Sequence, residues 1–153
     1  MPGAIHHSVV LVRDLGESLR FYHDGLGLDI LQDHEVEGEW PTLFGGPSRR
    51  LRVVFLGDRN VPDISAGALE LNTFVGGEVD VRPPAESPQT GLFMLSFFVD
   101  VEATVQRLAH LGLGGEPRRV SQSTPNGRIT IVTVRDPDEA LILLTPGSIT
   151  KPN

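Results

Sequence analysis

The stretch HSVVLVRDLGESLRFYHDGLGL, His7 to Leu28, decides the fold. Its opening, Ser8 through Val12, is β-branched and apolar, the composition of a buried strand. At Asp14 the period changes, and Leu15, Leu19, Tyr22 and Leu26 recur at helical spacing. Asp14 with Glu17 three residues on is an Asp-x-x-Glu variant of a capping box and marks a helix start. Gly25 and Gly27 stop the helix, and Leu28-Asp29-Ile30-Leu31 opens a second strand. The unit therefore reads strand, capped helix, glycine stop, strand.

The chain contains this unit twice. The second copy is MLSFFVDVEATVQRLAHLGL, Met94 to Leu113. Asp100 takes the place of Asp14 as the N-cap, with Ala103 where Glu17 stood. The helical set Leu15, Leu19, Tyr22 returns as Val101, Val105, Leu108, and His7 aligns with Met94. Periodicity, capping and glycine stop repeat together, which no one signal establishes alone.

Outward from the two copies, strands are expected near residues 5–12, 27–36, 51–56 and 68–74, then 91–99, 116–122, 128–134 and 140–144. Helices are expected near 15–25 and 101–111. Residues 37–50, rich in Gly and Pro and carrying the one tryptophan, Trp40, read as a loop. Residues 75–90 have linker composition, Pro125-Asn126-Gly127 is a turn, and Asp136-Pro137-Asp138-Glu139 is a tight turn before the last strand. The tail from Pro146 carries no pattern. The fold class is α+β: one domain over residues 1–153, made of βαβββ modules at 5–74 and 91–146. Each module is too small to bury a sheet face alone, so the pair is expected to form a curved mixed sheet, a cup of the kind that binds ligands.

Composition bounds the function. The chain of 153 residues has 39% hydrophobic residues and a formal charge of −7, which argues against nucleic acid and anionic membranes as partners. The absence of cysteine excludes disulfides, thiolate metal sites and a cysteine nucleophile. No apolar run reaches the roughly 20 residues of a membrane span, and no leader pattern opens the chain. A cytoplasmic location is the default expectation.

The repeat places four residues at equivalent strand positions: His7 and Met94 in the first strands, Glu70 and Leu143 in the fourth. Glu70 stands between Leu69 and Leu71 and projects to the face opposite them. A carboxylate on the inner face of a sheet is costly unless paired or hydrated, so it reads as a site residue or as an ordinary surface charge on an exposed face. His7 reads as a general base, a ligand contact or a satisfied histidine at a strand start. Its neighbour His6 is expected on the opposite face, because adjacent strand residues alternate.

At these residues the chain resembles the vicinal oxygen chelate superfamily, which includes glyoxalase I, bleomycin-resistance proteins, methylmalonyl-CoA epimerase, fosfomycin-resistance enzymes and extradiol dioxygenases. The likeness is carried by His7 through Leu28, by Phe97-Phe98-Val99-Asp100, and by Pro125-Asn126-Gly127 through Asp136-Pro137-Asp138. It covers about residues 5–146. Its motifs are specific for the fold and weak for the chemistry, since the scaffold hosts many reactions.

The resemblance implies a divalent metal (Zn, Ni, Mn or Fe) held from the four equivalent positions. His7 and Glu70 are the first and second ligands so implied, and Met94 and Leu143 stand where His and Glu would complete the set. A thioether is a poor ligand for such metals and an aliphatic chain is none. The expectation is therefore a protein without a cofactor that binds a small, largely apolar organic molecule. It would either sequester the ligand or perform acid–base chemistry with His7 and Glu70. Met94, Ser96, Phe98 and Leu143 fit core or ligand pocket equally, and Phe55 and Trp40, with Phe44, are candidates for aromatic walls. Arg49, Arg50 and Arg52 suit either a substrate anion or a solvated strand end. The alternative is a metal-dependent lyase, isomerase, epimerase or dioxygenase that completes its site with water or with an off-pattern residue such as His34 or Gln32. The resemblance also implies a homodimer.

Overall fold

The computed structural model describes residues 5–61, 67–83, 87–125 and 127–147. The expected loose start at residues 1–4, Pro84 of the linker, Asn126 of the turn and the tail beyond Gly147 lie outside the described residues. Two compact units divide the chain, Met1–Val81 and Arg82–Asn153, with the boundary inside the stretch of linker composition.

The first unit runs β1 (His7–Leu11), α1 (Leu15–Leu19), β2 (Asp29–Glu37), α2 (Trp40–Phe44), β3 (Arg50–Gly57) and β4 (Ala68–Phe74). The second runs β5 (Met94–Phe98), α3 (Val101–His110), β6 (Gly114–Thr124), β7 (Gly127–Arg135) and β8 (Leu141–Thr145). Each forms a four-stranded mixed sheet, in the orders β1-β4-β3-β2 and β5-β8-β7-β6. In each the first and last strands pair in parallel and the other neighbours pair antiparallel. The two sheets thus repeat one topology.

The repeat extends to register. Glu70 lies opposite Val9 and Phe55, and Leu143 lies opposite Ser96 and Thr133. His7 pairs with Ala68 as Met94 pairs with Leu141. The equivalence of His7 with Met94 and of Glu70 with Leu143, read from the sequence, is therefore built into the ladders.

The helix caps are equally repeated. Asp14 Oδ1 accepts from the Glu17 N–H and Asp100 Oδ1 from the Ala103 N–H, both at 3.1 Å, each satisfying one orphan donor of a first turn. The Glu17 carboxylate does not close a capping box; it takes the Arg20 guanidinium at 3.0 Å instead. Both helices end at a left-handed glycine, Gly27 (φ 83°) and Gly112 (φ 71°), a conformation that costs a residue with a Cβ.

Two features depart from the expected elements. Beyond Leu19 the first helix widens into a π-type turn over Arg20–Gly25, with the Leu26 N–H reaching the Phe21 carbonyl. Phe21 and Tyr22, adjacent in sequence, are both fully buried there and meet edge to face. The expected loop at 37–50 contains the short helix α2, with Pro41 in its first turn and Gly45 closing it at φ 69°. Among the described residues no helix is long and apolar enough to cross a membrane.

Candidate functional site

Strand alternation sorts β4 into two faces. Leu69 and Leu71 point with Val54 and Leu56 toward the side that α1 covers, and all four are buried. Ala68, Glu70 and Asn72 point the other way, beside Leu51, Val53 and Phe55 of β3 and His7, Val9 and Leu11 of β1. On this second face Leu51, Val53, Phe55 and Ala68 form an apolar cluster, with Leu31, Val36, Trp40 and Phe74 packed against it.

Glu70 is the polar centre of that face. It is only 8% exposed, and its Oε2 lies 2.7 Å from His7 Nε2 on the adjacent parallel strand. The His7 ring sits edge-on to Phe55, with centroids 5.4 Å apart. A buried carboxylate needs a partner, and here it has an imidazole donor on one side and aromatic and aliphatic walls on the others. Glu70 is thus no surface charge.

His6 does not turn away as alternation suggested. It precedes β1, so the strand's two-residue period does not bind it, and its Nδ1 meets the Nδ1 of His7. With the His7 Nε2–H donating a hydrogen bond to Glu70, its Nδ1 is an acceptor, which an Nδ1–H of His6 satisfies.

Asn72 was not foreseen. It lies one side-chain position along β4 from Glu70, is 9% exposed, and its Oδ1 is buried without a hydrogen-bond partner. The signal in the sequence was a second polar residue two places after Glu70 in an otherwise apolar strand. The other buried, unpartnered side-chain atom among the described residues, Ser18 Oγ, belongs to α1.

The remaining candidates divide between the units. Phe55 is buried beside His7 and Glu70, and Trp40 is half-buried on the same cluster, its Nε1–H donating to the Val36 carbonyl at 3.3 Å. Trp40 and Phe44 stack nearly parallel across α2. In the second unit Met94, Ser96 and Phe98 point to one face of β5, and Leu143 lies on that face of β8. Met94 and Phe98 are 38% and 63% exposed. A cavity of about 410 Å³ in that unit touches Gly114, Arg118, Thr133 and Leu141 but none of the expected site residues. A concavity without convergent, buried polar groups carries less chemical information than the His7–Glu70 pair.

The arginine cluster is neutralised within the sheet. Arg52 grips Asp33 through two bonds of 2.8 and 2.9 Å, Arg50 holds Glu35 at 2.6 Å, and Arg49 meets Glu39. Arg52 and Asp33 also lie on the face opposite Glu70. The Arg52 guanidinium holds the Asp33 carboxyl below the usual carboxylate range, and Asp33 in turn raises Arg52.

The donor set does not fit the divalent metal that the resemblance implies. His7 and Glu70 supply one imidazole and one carboxylate, whereas such ions take three or more nitrogen or oxygen donors. Among the described residues no group of three His, Cys, Asp or Glu stands together to hold an ion. Gln32 stands two strands away: it lies opposite Phe55, which lies opposite Glu70. Two strand spacings, about 10 Å, therefore separate Gln32 from Glu70. His34 is farther still, opposite Val53.

This double βαβββ architecture is that of a known class, and the chain belongs to the glyoxalase/bleomycin resistance protein/dioxygenase superfamily, whose profile matches residues 4–144. It is 41% identical over 145 residues to the lactoylglutathione lyase-like protein terB of Aspergillus terreus, covering 92% of this chain and 74% of that one. Its fold matches a glyoxalase family protein from Bacillus cereus with a TM-score of 0.68, at 20% identity over 92% of this chain and 93% of that one. It matches the trypanothione-dependent glyoxalase I of Leishmania major with a TM-score of 0.59, at 23% identity over 95% and 87% of the two chains. At such identities the likeness of the structures concerns the fold.

Proposed function

We propose that this chain binds a small, largely apolar organic molecule on the His7–Glu70 face and moves a proton on it, without a resident metal. The observation that supports this reading is the 2.7 Å contact between a buried carboxylate and a half-buried imidazole beside a cluster of apolar side chains. In the mechanism, the Nε2–H of His7 donates to Glu70 Oε2 and fixes the carboxylate's orientation. The second carboxylate oxygen is left to take a proton from an acidic C–H or O–H of the ligand, and the resulting carboxyl returns it elsewhere on the same molecule. Phe55, Val9 and Trp40 supply apolar contact for the body of the ligand. The same reading has the chain act as a homodimer in the cytoplasm, on a small molecule rather than on nucleic acid or a membrane.

The reading can be tested before the substrate is identified. Small carbonyl and aromatic compounds that raise the melting temperature of the untagged protein are incubated with it in D₂O. Deuterium entry at their acidic C–H positions is followed by NMR. Glu70→Gln, nearly constant in volume, should slow that entry by roughly 10²–10⁴-fold. Undiminished exchange in the variant would overturn the reading. Elemental analysis of the same protein decides the metal-dependent lyase, isomerase or dioxygenase alternative, because a stoichiometric, tightly held metal would favour it.

A further inference from the structure

We infer that Asn72 is a specificity residue for this face, and that the ligand it selects carries a hydroxyl hydrogen-bond donor about 7 Å from the atom Glu70 deprotonates. The inference rests on the functional reading above and adds the class of ligand, a hydroxylated ring such as a phenol or enol.

Asn72 is nine-tenths buried, and its Oδ1 has no partner within the described residues. Buried side-chain acceptors are nearly always satisfied, and one left unpaired forfeits its hydration with nothing in return. The position of Asn72 makes the unmet acceptor specific. It lies on the Glu70 face, opposite Val53 on one side and Leu11 on the other, so apolar walls flank it on both neighbouring strands. Leu11 is 45% exposed, which leaves that wall free to shift as a ligand enters.

An amide oxygen accepts and does not donate, so the matching ligand group is a hydroxyl or N–H rather than a carboxylate or ketone. Side chains two residues apart on a strand are about 7 Å apart, close to the span of a six-membered ring with one para substituent. A para-substituted phenol lying along β4 beside Phe55 and Val9 would thus put its hydroxyl at Asn72 and the first atom of its para substituent at Glu70. A site whose buried acceptor is filled only by the correct ligand discriminates sharply against analogues that lack the donor.

The experiment compares 4-methylphenol with 4-methylanisole, which has the same ring but no donor. Binding to the full chain is followed by NMR, including the side-chain amide signal of Asn72. The parent should prefer the phenol about tenfold, the worth of one hydrogen bond of about 1.4 kcal/mol. Asn72→Leu should abolish the preference, and Asn72→Val, with a strand-compatible side chain, should do the same if the leucine variant folds poorly. Glu70→Gln should keep the preference while losing deuterium exchange, so the binding and proton-transfer claims fail separately. Equal affinity for the two probes in the parent, a preference that survives both Asn72 variants, or no binding of either probe would each overturn the inference.

Discussion

The same three ladder positions are filled in opposite ways in the two modules. The first module carries His7, Glu70 and Asn72, polar and largely withdrawn from water, where the second carries Met94, Leu143 and Thr145. Glu70 is 8% exposed, whereas the aliphatic Leu143 at the equivalent position is half-buried. The two modules also differ in what lies over this face. Between β2 and β3 the first module inserts α2, which lays Trp40 onto the Leu51–Val53–Phe55–Ala68 cluster. Between β6 and β7 the second module has only a hairpin, with no helix to cover the corresponding face. The ladder hydrogen bonds fix where a side chain points, and in the first module α2 lies over part of the face so defined.

If the difference is confined to this face, the opposite faces should respond alike, and the largest effect follows from that. Leu71 and Leu144 occupy equivalent fully buried positions, opposite Val54 and Val132. Leu71→Ala and Leu144→Ala should each cost about 2–5 kcal/mol, within about 1 kcal/mol of one another. Trp40 and Tyr22 both lie in the first module, so Trp40 fluorescence reports Leu71→Ala in urea, and far-UV circular dichroism reports Leu144→Ala. A Leu144→Ala cost near zero would show that the two helix-side cores are not equivalent.

How much of this was legible follows the range of the signals. The repeat was readable because strand period, N-cap and glycine stop are local, and the ladder registers of Glu70 and Leu143 agree with the alignment of the two copies. The short helix α2 was hidden in a stretch read by its Gly and Pro content, although Pro41 just inside and Gly45 just past the helix are the usual end signals. The His6–His7 contact was missed because alternation was applied one residue before the strand begins. The orphaned Asn72 oxygen could not be read at all. Burial and the lack of a partner depend on Leu11 and Val53, which approach from strands distant in sequence.

A smaller effect sharpens the comparison on the unusual face itself. Thr145 takes the ladder place of Asn72, opposite Phe98 as Asn72 is opposite Leu11, and it is half-buried. Asn72→Leu removes an acceptor whose desolvation is uncompensated, so it should raise stability by about 1 kcal/mol even as it removes ligand discrimination. Function and stability would then pull apart at one residue, as expected where a site is held at some cost to the fold. A loss of stability measured by Trp40 fluorescence in urea would mean that the Asn72 amide is satisfied in solution and that the two faces differ less than their burial suggests.

The smallest effect concerns the margin of the first module, where Arg59 holds β2. Its guanidinium pairs with Asp29 while its N–H donates to the same carboxylate at 3.0 Å, and together these bonds lower the Asp29 carboxyl to about 2. The unfolded chain binds that proton near the ordinary aspartate value of about 3.9. The stabilisation from this pair is therefore complete above about pH 4 and fades as the pH falls toward 2, because below that both states carry the proton. Arg59→Gln removes it. The parent's advantage over the variant should be present at pH 6, shrink between pH 4 and pH 2, and weaken in added salt because the pair is solvent-exposed. Urea midpoints read by Trp40 fluorescence at several acid pH values would show it. A difference between the two proteins that stays constant across that range would mean that Arg59 steadies β2 by packing rather than by charge.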